Sequence, residues 1–136
     1  MTQNDARPSR ALTSIDVVVA ALYAAAIFVV GSLPGAVAIA KNVSDKLQHA
    51  LGFALLAWLW CRALRRLRPG WALPRVSAAS AALSVALGGA LELWQGLLAY
   101  RSCDVLDWLA DAVGAAIGVG FYAALAAASA PPRAAE

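Results

Sequence analysis

The stretch VLDWLADAVGAAIGVGFYAALAAA, Val105–Ala128, decides how this chain is to be read. At about 1.5 Å per residue it forms a helix of about 36 Å, enough to cross a hydrocarbon layer about 30 Å thick. Three further apolar runs precede it: Ile15–Pro34, Leu47–Leu64 and Val76–Tyr100. Backbone polar groups have no water to pair with in lipid, so each run is expected to be a helix. The abundance of alanine and glycine suits close packing of such helices. The whole chain agrees. Of its 136 residues 62% are hydrophobic and 14% charged, and its mean hydropathy is +0.69. So short a chain has too little interior to hide that apolar surface from water. A soluble enzyme domain, a disordered tail and a disulfide scaffold are thereby excluded. The fold class expected is an all-α integral membrane bundle of four transmembrane helices.

The charges orient the bundle. Arg7 and Arg10 precede the first run, Arg62, Arg65, Arg66, Arg68 and Arg75 cluster between the second and third, and Arg133 follows the fourth. The other two connections carry only Lys41, Lys46 and Arg101 near the spans. The positive-inside rule then places both termini and the arginine loop in the cytoplasm, with 35–46 and 100–105 on the far side. The same rule accounts for the net charge of +3 without nucleic acid, for which no groove-reading or stacking pattern is present. Residues 1–14 form a cytoplasmic segment, 15–128 the membrane domain, and 129–136 a cytoplasmic tail. A rival reading takes Arg7, Arg10, the first apolar run and Ala38-Ile39-Ala40 as a secretory signal peptide, for which a run of about twenty residues is long. Thr13 and Asp16 are spaced as a helix-start capping box. Cys61 and Cys103 fall on opposite sides of the membrane, too far apart for a disulfide.

Charge inside a membrane span marks a functional site by default, and here it gathers toward one side. Asp45, His49 and Phe53 recur every four residues on one helix face. Glu92 and Gln95 follow one turn apart, then Arg101 and Asp104, then Asp107 and Asp111, with Gly114 and Gly118 continuing the stripe. A third helix leaving the membrane near Leu98 would hold Glu92 about 9 Å inside, too deep for a capping role, and Asp111 would lie about 9 Å into the fourth. The cytoplasmic half is expected to hold almost no polar groups. Asp45 and Asp107 have an alternative use as helix caps. Gly114 and Gly118 read as a helix-packing pair, and Trp58, Trp60, Trp71, Trp94 and Trp108 as interfacial or lipid-facing residues. The three acids Glu92, Asp107 and Asp111 cannot all be ionised at low dielectric without protons, a cation, or partners among Lys46, Arg101 and His49.

The pattern Asp45-Lys46…His49, Glu92…Gln95, then Arg101, Asp104, Asp107, Gly114 and Gly118 resembles the VanZ-like membrane protein family over Val43–Gly118. That family's pattern reads approximately D-K-x-x-H, E-x-x-Q, R-x-x-D-x-x-D-x-x-x-N-x-x-G-x-x-x-G. Asp111 stands where the family carries Asn. The resemblance implies a small multispanning bacterial protein, in a family named after an accessory protein of glycopeptide resistance.

Three functions compete. In the preferred one, a non-enzymatic protein of the bacterial inner membrane binds an amphiphilic envelope molecule: a lipid headgroup, lipid-linked glycan or lipoglycopeptide. Lys46, His49 and Arg101 would meet its anionic part. Glu92, Gln95, Asp104, Asp107 and Asp111 would orient those cations or hydroxyl groups, and no cofactor or metal is called for. In the second, an intramembrane enzyme uses His49 or Glu92 as general base, with Arg101 stabilising an anionic transition state or the Asp/Glu/His group holding a divalent metal. Neither an H-E-x-x-H motif nor an activated Ser or Cys supports it. In the third, the cluster is a structural polar network. An ion transporter is a weaker fourth reading, four short spans offering little for alternating access. The partners expected are membrane lipid and such a ligand; the oligomeric state stays open.

Overall fold

The computed structural model describes residues 10–34 and 44–129. Arg7, the Ala38–Ala40 cleavage-like site, Lys41 and the tail with Arg133 lie outside the described residues. Four helices account for the described chain: α1 (Arg10–Gly31), α2 (Asp45–Leu67), α3 (Leu73–Gln95) and α4 (Val105–Ala128). All four are long and apolar enough to cross a membrane, and no strand occurs among the described residues.

Three boundaries differ from expectation. α1 already begins at Arg10, so Thr13 and Asp16 are helix interior and not a capping box. α2 is capped by Ser44, whose hydroxyl accepts the Leu47 N–H at 3.3 Å, and Asp45 is merely its first residue. α3 ends at Gln95, and the chain turns at Gly96. Glu92 is therefore about 4.5 Å from the helix end instead of about 9 Å. α3 starts through Pro74, which tolerates the first turn because its missing N–H would be unpaired there anyway.

Neighbouring helices alternate in direction. The start of α1 meets the end of α2 through Asp16 and Arg62, while the starts of α2 and α4 meet through His49 and Asp111. α2 and α4 consequently run parallel, and they form the closest crossing of the bundle. A Cβ on Gly114 would strike the Ala50 backbone, and one on Gly118 the Ala54 backbone. Glycine is required there because no side chain can be interposed.

The radial pattern is the reverse of a water-soluble domain. Leu22, Leu93, Leu97 and Phe121 are exposed, whereas Ser80, Ser84 and Asp111 are fully buried, with Glu92 and Gln95 nearly so. Lipid solvates the outer leucines, and polar side chains must find partners inside. Ser84 does so by donating to the Ser80 carbonyl at 3.0 Å. α1 packs mainly on α2 and only lightly on α3.

Candidate functional site at the acidic end of the bundle

The parallel arrangement of α2 and α4 brings two helix N-termini to one end, where their partial positive charge favours carboxylates. Asp104 is the N-cap of α4, its carboxylate accepting the Leu106 N–H at 2.8 Å. Asp107 lies in the first turn, and Asp111 one turn deeper on the same face. On α2, Lys46 and His49 face them.

Lys46 Nζ donates to Asp107 Oδ1 at 2.8 Å and to Asp104 Oδ2 at 3.0 Å. The Leu106 amide and the Lys46 ammonium hold the Asp104 carboxyl below its ordinary range. Deeper, His49 Nδ1 lies 2.8 Å from Asp111 Oδ1. From α3, Glu92 Oε2 accepts the backbone N–H of Asp104 at 2.8 Å. The glutamate thus does have a capping role, which its expected depth argued against. It caps not its own helix but α4, reaching across from the last turn of α3. Gly88, one turn before Glu92, makes room for Asp111: a Cβ there would sit 2.5 Å from Asp111 Oδ2. Side-chain donors of His49, Glu92 and Asp111 lie within 4.8 Å of one another. Two of the oxygens in this group, Asp111 Oδ2 and Glu92 Oε1, are buried without a hydrogen-bond partner among the described residues.

Of the eight residues singled out in sequence, six converge: Lys46, His49, Glu92, Asp104, Asp107 and Asp111. The other two turn toward α1. Gln95 Nε2 donates to the Gly31 carbonyl at 2.8 Å, and Arg101 Nη2 points at the Leu33 carbonyl at 3.4 Å. Tyr100 adds a hydroxyl bond to the Ser32 carbonyl at 2.9 Å. These three side chains take up carbonyls at the C-terminal end of α1 that its own helix leaves unpaired. Lys46 and His49, read as cations for an anionic ligand, already face carboxylates. Among the described residues Arg101 has no carboxylate partner, and its Nε is buried and unpaired.

Beside Glu92 a groove of about 270 Å³ opens between α3 and α4, lined by Gly89, Leu93, Cys103, Val105 and Trp108 together with Glu92. Trp108 Nε1 donates to the Val85 carbonyl at 3.0 Å, so this indole is a fixed wall and not simply a lipid-facing ring. Gly89 permits the close approach, since a Cβ would lie 3.3 Å from that nitrogen. Sequence reading missed both glycines, although the Gly88-Gly89 pair within a span was a visible sign of close contact.

Sequence reading also missed a second polar cluster at the opposite end. Asp16 is buried, with Oδ1 accepting from Arg62 Nη2 at 3.0 Å and Oδ2 lying 2.8 Å from Arg66 Nε. That end is therefore not free of polar groups, contrary to expectation. An acid within an apolar run, and two arginines four residues apart, were the available signals. Trp58 lies under Arg62, and Trp71 under Arg75 and Arg68, at 4.3–6.0 Å, placing two more indoles in cation–π contacts. Cys61 is buried and Cys103 exposed, both free.

A model of the VanZ/LLP1 family matches residues 9–126. Neither the curated proteins nor the solved structures provide a match.

Proposed function

The chain belongs to the VanZ/LLP1 family, and from that premise we propose that this multi-pass membrane protein binds an amphiphilic envelope molecule without transforming it. The observation that carries the reading is the position of Glu92. It belongs at once to the buried polar cluster and to the wall of the apolar groove between α3 and α4. An amphiphile has the matching form: a polar head for the cluster and an acyl chain for the groove, which takes apolar surface from water or from disordered lipid. Buried carboxylates with free lone pairs accept from hydroxyl or ammonium donors. The head that suits them is a donor-rich one, such as a glycan or an amine, and Arg101 remains for an adjoining phosphate or carboxylate. The arginine loop holds the opposite end in the cytoplasm, so the site faces outward from the bacterial inner membrane.

The test is mass spectrometry of lipids retained by the full chain purified in mild detergent. Wild type retains one lipid class enriched over the bulk membrane. Val105→Trp, which fills the groove at a lipid-facing position, lowers that enrichment about tenfold with an unchanged melting temperature, about 1.4 kcal/mol of binding. Glu92→Gln and Arg101→Ala also lose it while the protein still inserts. Retention of membrane lipids in bulk proportions by the wild type overturns the reading.

A further inference from the structure

We infer that His49, Glu92 and Asp111 form a binding site for one divalent transition-metal cation of the zinc type. The geometric basis is convergence from three helices, α2, α3 and α4, of an imidazole nitrogen and two carboxylates whose donors lie within 4.8 Å of one another. Donors around a zinc ion at about 2.1 Å stand about 3.4 Å apart, a contraction within reach of side-chain rotation. Convergence alone is common among acidic groups. The independent observation is that two oxygens of this group have nothing to bind. Asp111 is fully buried and Glu92 only 3% exposed, yet Asp111 Oδ2 and Glu92 Oε1 lack any hydrogen-bond partner among the described residues. An uncompensated buried carboxylate oxygen is costly, and two in one cluster point to a missing positive partner.

Charge balance supports a dication. Two carboxylates, one neutral imidazole and one divalent ion sum to zero, the state that a low-dielectric bundle interior favours. Among the described residues no nearby lysine or arginine supplies this charge. Lys46 is engaged with Asp104 and Asp107, and Arg101 reaches toward the Leu33 carbonyl. The cation takes the place of the proton between His49 and Asp111, whose Oδ1 now lies 2.8 Å from His49 Nδ1, and the carboxylate, binding through both oxygens, gives the unpaired Oδ2 its partner. Glu92 Oε1 supplies the third ligand, while Glu92 Oε2 keeps its hydrogen bond from the Asp104 amide and so holds the ligand in place. An imidazole in the set selects zinc and its later transition-metal neighbours over magnesium, calcium or manganese, which prefer oxygen ligands. Gly88 is part of the site because any side chain there would occupy the space beside Asp111 Oδ2. Three protein ligands leave a fourth position open.

A second grouping, Asp45, His49 and Asp107, shares the histidine. It is the weaker candidate: Asp45 is exposed, and Asp107 is bonded to Lys46.

The experiment uses the full chain in detergent, stripped with a chelator, and the metal alone as probe. Zinc is added, excess is removed by gel filtration, and retained metal is counted by elemental mass spectrometry. The wild type is expected to hold one zinc per chain, with a melting temperature that rises with zinc concentration. Glu92→Gln and His49→Ala each lower zinc affinity by about tenfold or more. Asp45→Asn and Asp107→Asn keep it within about twofold, a difference of about 0.4 kcal/mol at most. If the variants do not fold, the wild type still decides: cobalt loading must give the visible absorption of a low-symmetry site, and zinc must abolish it. Absence of retained zinc and of cobalt absorption in the wild type overturns the inference, as does full zinc retention in a folded Glu92→Gln protein. No lipid enters this measurement, so its failure leaves the amphiphile reading standing, and the converse holds as well.

Discussion

The two ends of the bundle handle charge in opposite ways. At the arginine end a single buried acid, Asp16, faces two guanidinium groups, Arg62 and Arg66. Of the other arginines there, Arg68 and Arg75 lie over Trp71, and Arg65 donates to the Trp71 carbonyl at 2.8 Å. At the acidic end, among the described residues, Asp45, Glu92, Asp104, Asp107 and Asp111 outnumber Lys46, His49 and Arg101, and two carboxylate oxygens are buried unpaired. One end is oversupplied with cations beside water and headgroups; the other is undersupplied in the interior. The first arrangement anchors and orients a helix bundle. The second leaves two buried carboxylate oxygens unpaired among the described residues, and the proposed binding role rests on that end.

This contrast can be broken most severely at the crossing that assembles the acidic end. Gly114→Val drives a side chain into the Ala50 backbone, which cannot yield as a flexible side chain would. A loss of about 3 kcal/mol or more is expected, seen as failure to recover monodisperse protein or as a steep fall in melting temperature. Next is His49→Ala, which leaves the fully buried Asp111 without the one partner it has among the described residues. Breaking a buried pair from one side costs about 3–5 kcal/mol, and detergent unfolding monitored by circular dichroism measures it. Added zinc should restore less stability to this variant than to the wild type. Gln95→Ala removes the bond to the Gly31 carbonyl and should cost about 1 kcal/mol, with faster hydrogen exchange confined to the end of α1. Arg62→Ala tests the other end, where Asp16 keeps Arg66. The half-exposed pair should be worth less than about 1 kcal/mol, and only the double change of Arg62 and Arg66 should approach the His49 effect.

The smallest effect is a pH dependence at Asp104. Its folded pKa is depressed by the Leu106 amide and Lys46. Its stabilising contribution is therefore complete above the ordinary carboxyl value of 3.8 and fades as pH falls through the lower folded value. Asp104→Asn should flatten that acid limb in a melting-temperature profile and leave the neutral range with a single small offset.

Much of this contrast was legible in the residues alone. The cationic loop, the stripe from Asp45 to His49 and the stripe from Asp107 to Asp111 are local patterns, and the helices carrying them begin close to where composition placed them. The glycine pair Gly114 and Gly118 was correctly read as packing. The errors arose where a helix end or a partner on another helix was needed. Gly96 marked the true end of α3, but an apolar continuation, Leu97 and Leu98, obscured it, so Glu92 was placed too deep and its cap on Asp104 was not foreseen. Asp16 was read with its sequence neighbour Thr13, whereas its partners lie on the following helix. Gln95 and Arg101 share the side and expected depth of the acids, yet both reach toward carbonyls at the end of α1.

Span lengths, the end of the bundle at which each charged group lies and the membrane setting follow from composition because transfer into hydrocarbon depends on each segment's own residues. Pairing does not. Which carboxylate meets Lys46, which meets His49 and which oxygens are left over depend on how far each helix is rotated and how closely it approaches its neighbour. Those quantities are set by the contact of Gly114 and Gly118 with Ala50 and Ala54, and by Gly88 against Asp111. Only the assembled bundle joins Glu92 to the start of α4 and leaves two buried carboxylate oxygens unpaired among the described residues.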